Sequence, residues 1–184
     1  MQLAVTTRSL RSFPTVGGLL LCLVLAGCSS MYYSAMEKLG IEKREILVDR
    51  VEDARDAQTD AQETFRSSLE RFQSVVETPD TPLQEKYDTI RTAFEDSEDA
   101  AEAVRDRIDA VEDVSEALFD EWEDELDQYS SASLRRDSQQ KMVQTRIQYV
   151  QLITAMRKAE AKIDPVLRAF RDQVLYLKHN LNAQ

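Results

Sequence analysis

Glycine, proline, cysteine and histidine are all scarce in this 184-residue sequence, which contains four, four, two and one of them respectively. Beyond residue 28, the residues that commonly interrupt a helix are reduced to Gly40, Pro79, Pro82 and Pro165. Folds built from many short strands need glycine and proline in their turns, so this composition argues against them. It predicts an all-α protein.

The longest apolar run lies near the amino terminus, at residues 16–25, and Arg8 and Arg11 precede it. The run is short for a membrane span, since a transmembrane helix needs about 20 apolar residues. A positive region, an apolar region and small residues in this order predict a secretory signal peptide at residues 1–27. Four residues close it: Leu25, Ala26, Gly27 and Cys28.

The segment Leu25–Cys28 resembles the lipobox of bacterial lipoproteins. That resemblance implies cleavage before Cys28, a diacylglycerol thioether on its sulfur and an acylated amino terminus. Because Ser29 follows in place of an aspartate, the sorting behaviour of lipoproteins implies the outer membrane. We expect a protein anchored by lipid on the periplasmic face of a bacterial cell envelope. The alternative is an ordinary signal peptide that happens to end near a cysteine.

Few residues remain for enzyme chemistry once this signal is removed. Cys22 would leave with it and Cys28 would carry lipid, so no thiol is left for a disulfide, a metal site or redox chemistry. His179 is the one histidine, and neither a Ser/His/Asp set nor a G-x-x-x-x-G-K-[ST] motif can be assembled. We therefore expect a non-enzymatic protein without catalytic residues, cofactor or metal site.

Residues 28–184 are predicted to form one domain, because apolar residues recur there at three- and four-residue spacing. Pro79 and Pro82 mark a first turn, and serines within 130–136 mark a second. The apolar pattern keeps its phase across Pro165, which predicts a kink there and no reversal. The predicted helices span about 31–77, 82–129 and 134–184.

The second predicted helix has the strongest pattern, since its apolar residues keep heptad spacing along nearly its whole length. At about 1.5 Å per residue it would be roughly 70 Å long, which is typical of an elongated coiled coil. Its predicted core residues are Leu83, Tyr87, Ile90, Phe94, Ser97, Ala101, Val104, Ile108, Val111, Ser115, Leu118, Trp122 and Tyr129, with Leu126 filling a lapse in the repeat.

Folding the chain back at the first turn brings large residues opposite large ones and small opposite small. Phe65 is predicted to meet Phe94, and Gln58 and Ala61 to meet Ser97 and Ala101 in a narrow waist at the height of Pro165. The segment 82–129 has four basic and eighteen acidic residues, whereas 130–184 has ten basic and four acidic. Opposite charge favours adjacency. The sequence thus predicts an elongated antiparallel three-helix coiled-coil bundle.

The formal net charge of −11 argues against nucleic acid as a partner, because such a surface repels phosphates. Removal of the signal peptide would make it more negative by two charges. The acidic run at 106–127 lacks an EF-hand loop. A solvated face that screens Ca²⁺ or Mg²⁺ weakly is expected there, and specific cation binding stays an open alternative.

Three further segments carry a resemblance: residues 32–51 (YYSAMEKLGIEKREILVDRV), 129–136 (YSSASLRR) and 170–181 (FRDQVLYLKHNL). With the lipobox, they resemble the bacterial coiled-coil lipoprotein family catalogued as domain of unknown function 2959. The match would cover nearly all of the mature chain. It implies compartment and fold, and it brings no activity, cofactor or catalytic residue.

These observations predict a scaffold or partner-binding module of the cell envelope. It would contact the membrane through acyl chains on Cys28, and an envelope protein through its helices. The alternative is an accessory subunit that docks a helical hairpin tip onto an envelope transport or efflux machine. Tyr32 and Tyr33 either lie at headgroup level or begin the core. With Gln58 and Ser97 facing inward, the bundle could pack alone or form a homo-oligomer.

Overall fold

The computed structural model describes residues 32–33, 35–36, 42–78 and 80–183. The first two pairs are helical and belong to a unit formed by Met1–Ile41, whereas the remainder belongs to the unit Glu42–Gln184. In the first unit, the rings of Tyr32 and Tyr33 meet edge to face with their centroids 5.4 Å apart. The predicted signal peptide and the segment Leu25–Cys28 lie outside the described residues.

Helices are the only regular secondary structure in the described part of the second unit, which confirms the predicted all-α bundle. α1 and α2 form a hairpin, while α3 and α4 together replace the third predicted helix and pack along α2. The helices are α1 (Lys43–Glu77), α2 (Leu83–Leu126), α3 (Ala132–Glu160) and α4 (Ile163–Asn182).

Proline and serine set the helix boundaries at both turns. Pro82 immediately precedes α2, so this helix begins one residue later than predicted. At the second turn, Ser131 caps α3 by accepting a hydrogen bond from the Leu134 amide at 3.5 Å. This cap satisfies an amide that has no partner within the helix, and it explains how a turn forms without glycine or proline.

Most of the core is contributed by α2, whose 44 residues make it about 66 Å long at 1.5 Å per residue. The predicted seam is confirmed from Ile90 to Ser115. Its buried residues are Ile90, Ala93, Phe94, Ser97, Ala101, Val104, Ile108, Val111, Val114, Ser115, Phe119 and Leu126.

The seam differs from prediction beyond Ser115. Phe119 is buried there, whereas Leu118 and Trp122 are half-buried and Tyr129 is exposed beyond the end of α2. A straight helix drifts by about 20° per heptad against a strict seven-residue repeat, so after several heptads the buried position moves by nearly one residue. A strict heptad therefore predicted Leu118 as the core residue at this end of the helix, whereas its neighbour Phe119 is the buried one.

Ion pairs between helices show that α1 runs antiparallel to α2. Lys43 lies 3.1 Å from Glu121, and Arg71 lies 2.8 Å from Asp96. The pairing places Ser97 against Ser68, and the two hydroxyl oxygens are 3.0 Å apart. The prediction that Ser97 meets Gln58 and Ala61 was therefore wrong by about two helical turns of α1.

Phe65, which was predicted to meet Phe94, packs against the apolar cluster that Phe94 forms with Ala101 and Leu167. The pairing of Ser68 with Ser97 sets Phe65 at the level of Ala101, so the predicted register is displaced here as well. The third and fourth helices run antiparallel to α2 in turn. Arg146 reaches Glu123 near one end of α2, and Arg171 reaches Glu98 closer to the other. Opposite charges thus do lie side by side along this pair.

The helix predicted to kink near Pro165 is interrupted for two residues, and the chain continues without reversal, because Ala161 and Lys162 both keep right-handed helical dihedral angles. α3 ends at Glu160, Ala161 and Lys162 form a turn, and Pro165 is the third residue of α4. A proline inside a helix clashes with the carbonyl four residues earlier, which here belongs to Ala161, whereas a first-turn proline costs no hydrogen bond. The chain therefore breaks ahead of the proline.

Candidate functional site at the helix break

An open cavity of about 300 Å³ lies where the α3–α4 break faces α1 and α2. Gln58 and Ala61 line it, so the prediction that these residues lie level with the proline segment is confirmed, although Ser97 is not among its walls. We call this space the waist cavity. Its walls are Gln58, Ala61, Gln62, Phe65, Val104, Ala159, Glu160, Lys162, Ile163 and Val166.

Small side chains opposite an interrupted helix explain why this space is not filled. Ala61 and Val104 are almost completely buried on α1 and α2. Ala159 contributes a methyl group at the end of α3, and the chain then turns before Ile163 resumes the helical packing. Interiors normally pack as densely as organic crystals, so an opening of this size marks a place where the helices do not interlock.

Two polar groups of the cavity wall are unpaired. The Gln58 side-chain nitrogen is buried and has no hydrogen-bond partner. Lys162 is exposed, and none of the described residues forms an ion pair with it; it precedes α4 without capping the first turn by a side-chain hydrogen bond. A buried donor without an acceptor costs free energy, so a ligand that supplied an acceptor would relieve that cost.

A network of charged residues ties both sides of the break to α2. The Arg157 guanidinium donates hydrogen bonds to Glu112 and Asp109 of α2, and to Glu160 at 3.1 Å. Arg105 of α2 reaches Glu160 at 3.3 Å and Asp164 of α4 at 2.6 Å. The end of α3 and the start of α4 are therefore held by the same stretch of one helix.

This network stabilises the charged form of Arg157. The hydrogen bonds to Glu112 and then to Asp109 raise the pKa of the guanidinium above its already high ordinary value, against the opposing effect of burial. Glu160 is half-buried on the cavity wall, and Arg105 and Arg157 both neutralise it. The charge of Glu160 is thus compensated from within the protein, whereas Lys162 is exposed and its charge is compensated by solvent.

The other predicted features lie away from this cavity. Trp122 is half-buried beside Phe119 and donates from its ring nitrogen to the Ser138 hydroxyl at 2.9 Å. Burial raises the pKa of the Tyr149 phenol, whose ring packs 5.7 Å from that of Phe119. His179 is exposed near the end of α4.

The acidic run at 106–127 faces the basic α3, and part of it forms ion pairs with Arg146 and Arg157 of that helix. Among the residues that the structure describes, no three His, Cys, Asp or Glu side chains are grouped so that they could hold a metal ion. In the same part of the chain, no helix combines the length and apolarity needed to cross a membrane.

Sequence reasoning missed Arg105, Arg157 and Lys162 as members of a site. One indication was available, because continuing the heptad of the second helix through the second turn would place Arg157 at a core position. An arginine at such a position predicts a charged partner on a neighbouring helix. The lack of an ion pair at Lys162 depends on the packing of three helices, and no residue near it in the sequence indicates it.

The fold and the cavity define an all-α helical-bundle protein with an apolar opening at a broken helix. The chain belongs to the family described as Protein of unknown function (DUF2959), whose model matches residues 32–184. The resemblance inferred from the sequence is thereby confirmed. No curated protein and no solved structure matches this chain.

Proposed function

We propose that this protein is a lipid-anchored, non-enzymatic partner-binding module or scaffold on the periplasmic face of a bacterial cell envelope, at the outer membrane. The observation that carries the proposal is the segment Leu25–Cys28, and only three residues, 29–31, separate it from the start of the family domain at residue 32. Four residue steps at about 3.5 Å reach roughly 14 Å at most. A lipid on Cys28 would therefore keep the start of the domain close to the membrane surface.

Lipidation at Cys28 predicts an all-or-none response to substitution. In cells fed a clickable palmitate analogue, the wild-type protein should incorporate label and Cys28→Ser should incorporate none, because serine cannot form the thioether. Cys22→Ser is the matched control and should keep full labelling, since Cys22 lies inside the segment that is removed. Label that persists in Cys28→Ser, or its loss from both variants, would refute the anchor.

Exposed apolar side chains of α1 and α4 at the end of the bundle that carries the α1–α2 turn support a role in partner binding. Val76 and Tyr176 are each 64% exposed. They lie at similar height, because the rings of Phe72 and Phe170 stack 6.4 Å apart and both helices continue toward the tip from there. Aromatic side chains are enriched among residues that dominate binding energy at interfaces.

This surface specifically favours the alternative function, an accessory subunit that docks its hairpin tip onto an envelope transport or efflux machine. A photo-crosslinking amino acid at Val76 should then capture one large membrane protein in living cells. The matched control is the same amino acid at Val143, which is 49% exposed on α3, far from the tip. Equal capture from both positions would argue against a docking tip, and a product of twice the protein's mass would show self-association.

A further inference from the structure

We propose that the waist cavity binds an acyl group, that is, an alkyl chain that ends in a carbonyl or carboxylate oxygen. This inference is independent of the anchor on Cys28, because every residue that carries it lies within 58–166 of the described bundle. It rests on the apolar walls of the cavity and on the two unpaired donors beside them.

The walls suit an alkyl chain. Ala61, Phe65, Val104, Ile163 and Val166 surround the opening with carbon atoms. A volume of about 300 Å³ is at the small end of the range for small-molecule sites, which is about 300–1,000 Å³. A chain that entered it would remove apolar surface from water on both partners, and this is the main driving force for such binding.

The polar groups suit the acyl head. Gln58 brings a buried amide nitrogen without an acceptor. A half-turn of the amide group exchanges the positions of its nitrogen and oxygen, so the nitrogen can be the atom that is turned to the cavity. Lys162 adds an exposed positive charge at the turn, with no ion-pair partner among the described residues. Glu160 does not repel an acyl oxygen strongly, because Arg105 and Arg157 already neutralise it. A carbonyl oxygen would satisfy Gln58, and a free carboxylate would also pair with Lys162.

The acyl group has two sources, a free fatty acid or a lipid ester, and Lys162 discriminates between them. The test uses the full chain in lipid nanodiscs with a ten-carbon diazirine carboxylate and, separately, its methyl ester. After irradiation, mass spectrometry should find the adducts concentrated on peptides that contain residues 58–65 and 159–166. Labelling by the carboxylate alone indicates a free acid, and labelling by the ester indicates a lipid.

Variants locate the site. Val166→Trp adds bulk at a cavity wall that is 42% exposed and should reduce the adducts at least tenfold, whereas Val143→Trp, at a similarly exposed position on α3, should leave them unchanged. Gln58→Leu removes the donor and should weaken labelling by both probes roughly threefold to tenfold. Lys162→Gln should weaken labelling by the carboxylate only.

A measurement on the unchanged protein guards against variants that fail to fold. Unlabelled decanoate, or its methyl ester where the ester is the labelled probe, should compete with the adducts in a saturable manner. Adducts that spread along the exposed apolar residues of α3 and α4, that do not respond to competitor, or that survive in a folded Val166→Trp protein would overturn the proposal.

Discussion

Phe119→Ala should lower the free energy of unfolding by roughly 3–5 kcal/mol, the usual cost of removing a buried phenylalanine. Phe119 is only 4% exposed and packs with Leu126 and Met142 between α2 and α3. The Arg146 guanidinium also lies over its ring, 4.9 Å from the centroid. Truncation would therefore leave a cavity, and it would also remove the aromatic ring that the Arg146 guanidinium contacts. Denaturant unfolding followed by circular dichroism measures the change.

Leu118→Ala is the matched control, because a strict heptad buries Leu118 and the structure buries its neighbour Phe119. Leu118 is half-buried, so its truncation should cost clearly less, about 1–2 kcal/mol, since less apolar surface is lost. If Leu118→Ala proved the more damaging change, the heptad register would be correct at this end of α2. The position of the α2–α3 interface would then be wrong.

Ser97→Leu should destabilise the bundle by roughly 2–4 kcal/mol. Ser97 is completely buried between α1 and α2, and its hydroxyl lies 3.0 Å from Ser68 Oγ and 2.7 Å from the Ala93 carbonyl oxygen. Overpacking a filled site costs about 1–3 kcal/mol, and losing a buried hydrogen bond costs about 0.5–1.5 kcal/mol more. The measurement is the midpoint of chemical denaturation.

Ser97→Ala separates the two contributions, because it removes the hydroxyl without adding volume. It should cost only about 1 kcal/mol, since Ser68 Oγ keeps its own hydrogen bond to the Ala93 carbonyl at 3.0 Å. If the alanine and leucine variants lost equal free energy of unfolding, the space between α1 and α2 at this layer would be large enough for a leucine side chain. The close approach of Ser68 and Ser97 would then be contradicted.

The candidate site was only partly accessible from the sequence. The alternation of small and large residues correctly placed Gln58 and Ala61 opposite the proline segment. It did not predict an open cavity, because an opening is the difference between the space that three helices enclose and the side-chain volume that fills it. The pairing of Glu160 with Arg105 and Arg157, which leaves Lys162 without an ion-pair partner among the described residues, likewise depends on which helix faces which.

The sequence by itself determined the all-α class, the turns near Pro82 and Ser131 and the buried face of α2 from Ile90 to Ser115. Each of these depends on local chemistry: a missing amide hydrogen, a side-chain cap or a repeat close to the helical period. Tertiary structure decided the register between helices and the choice of Phe119 over Leu118. The physical reason is that the offset of one helix against another reflects the packing of many distant side chains at once, and no short stretch of sequence carries that information.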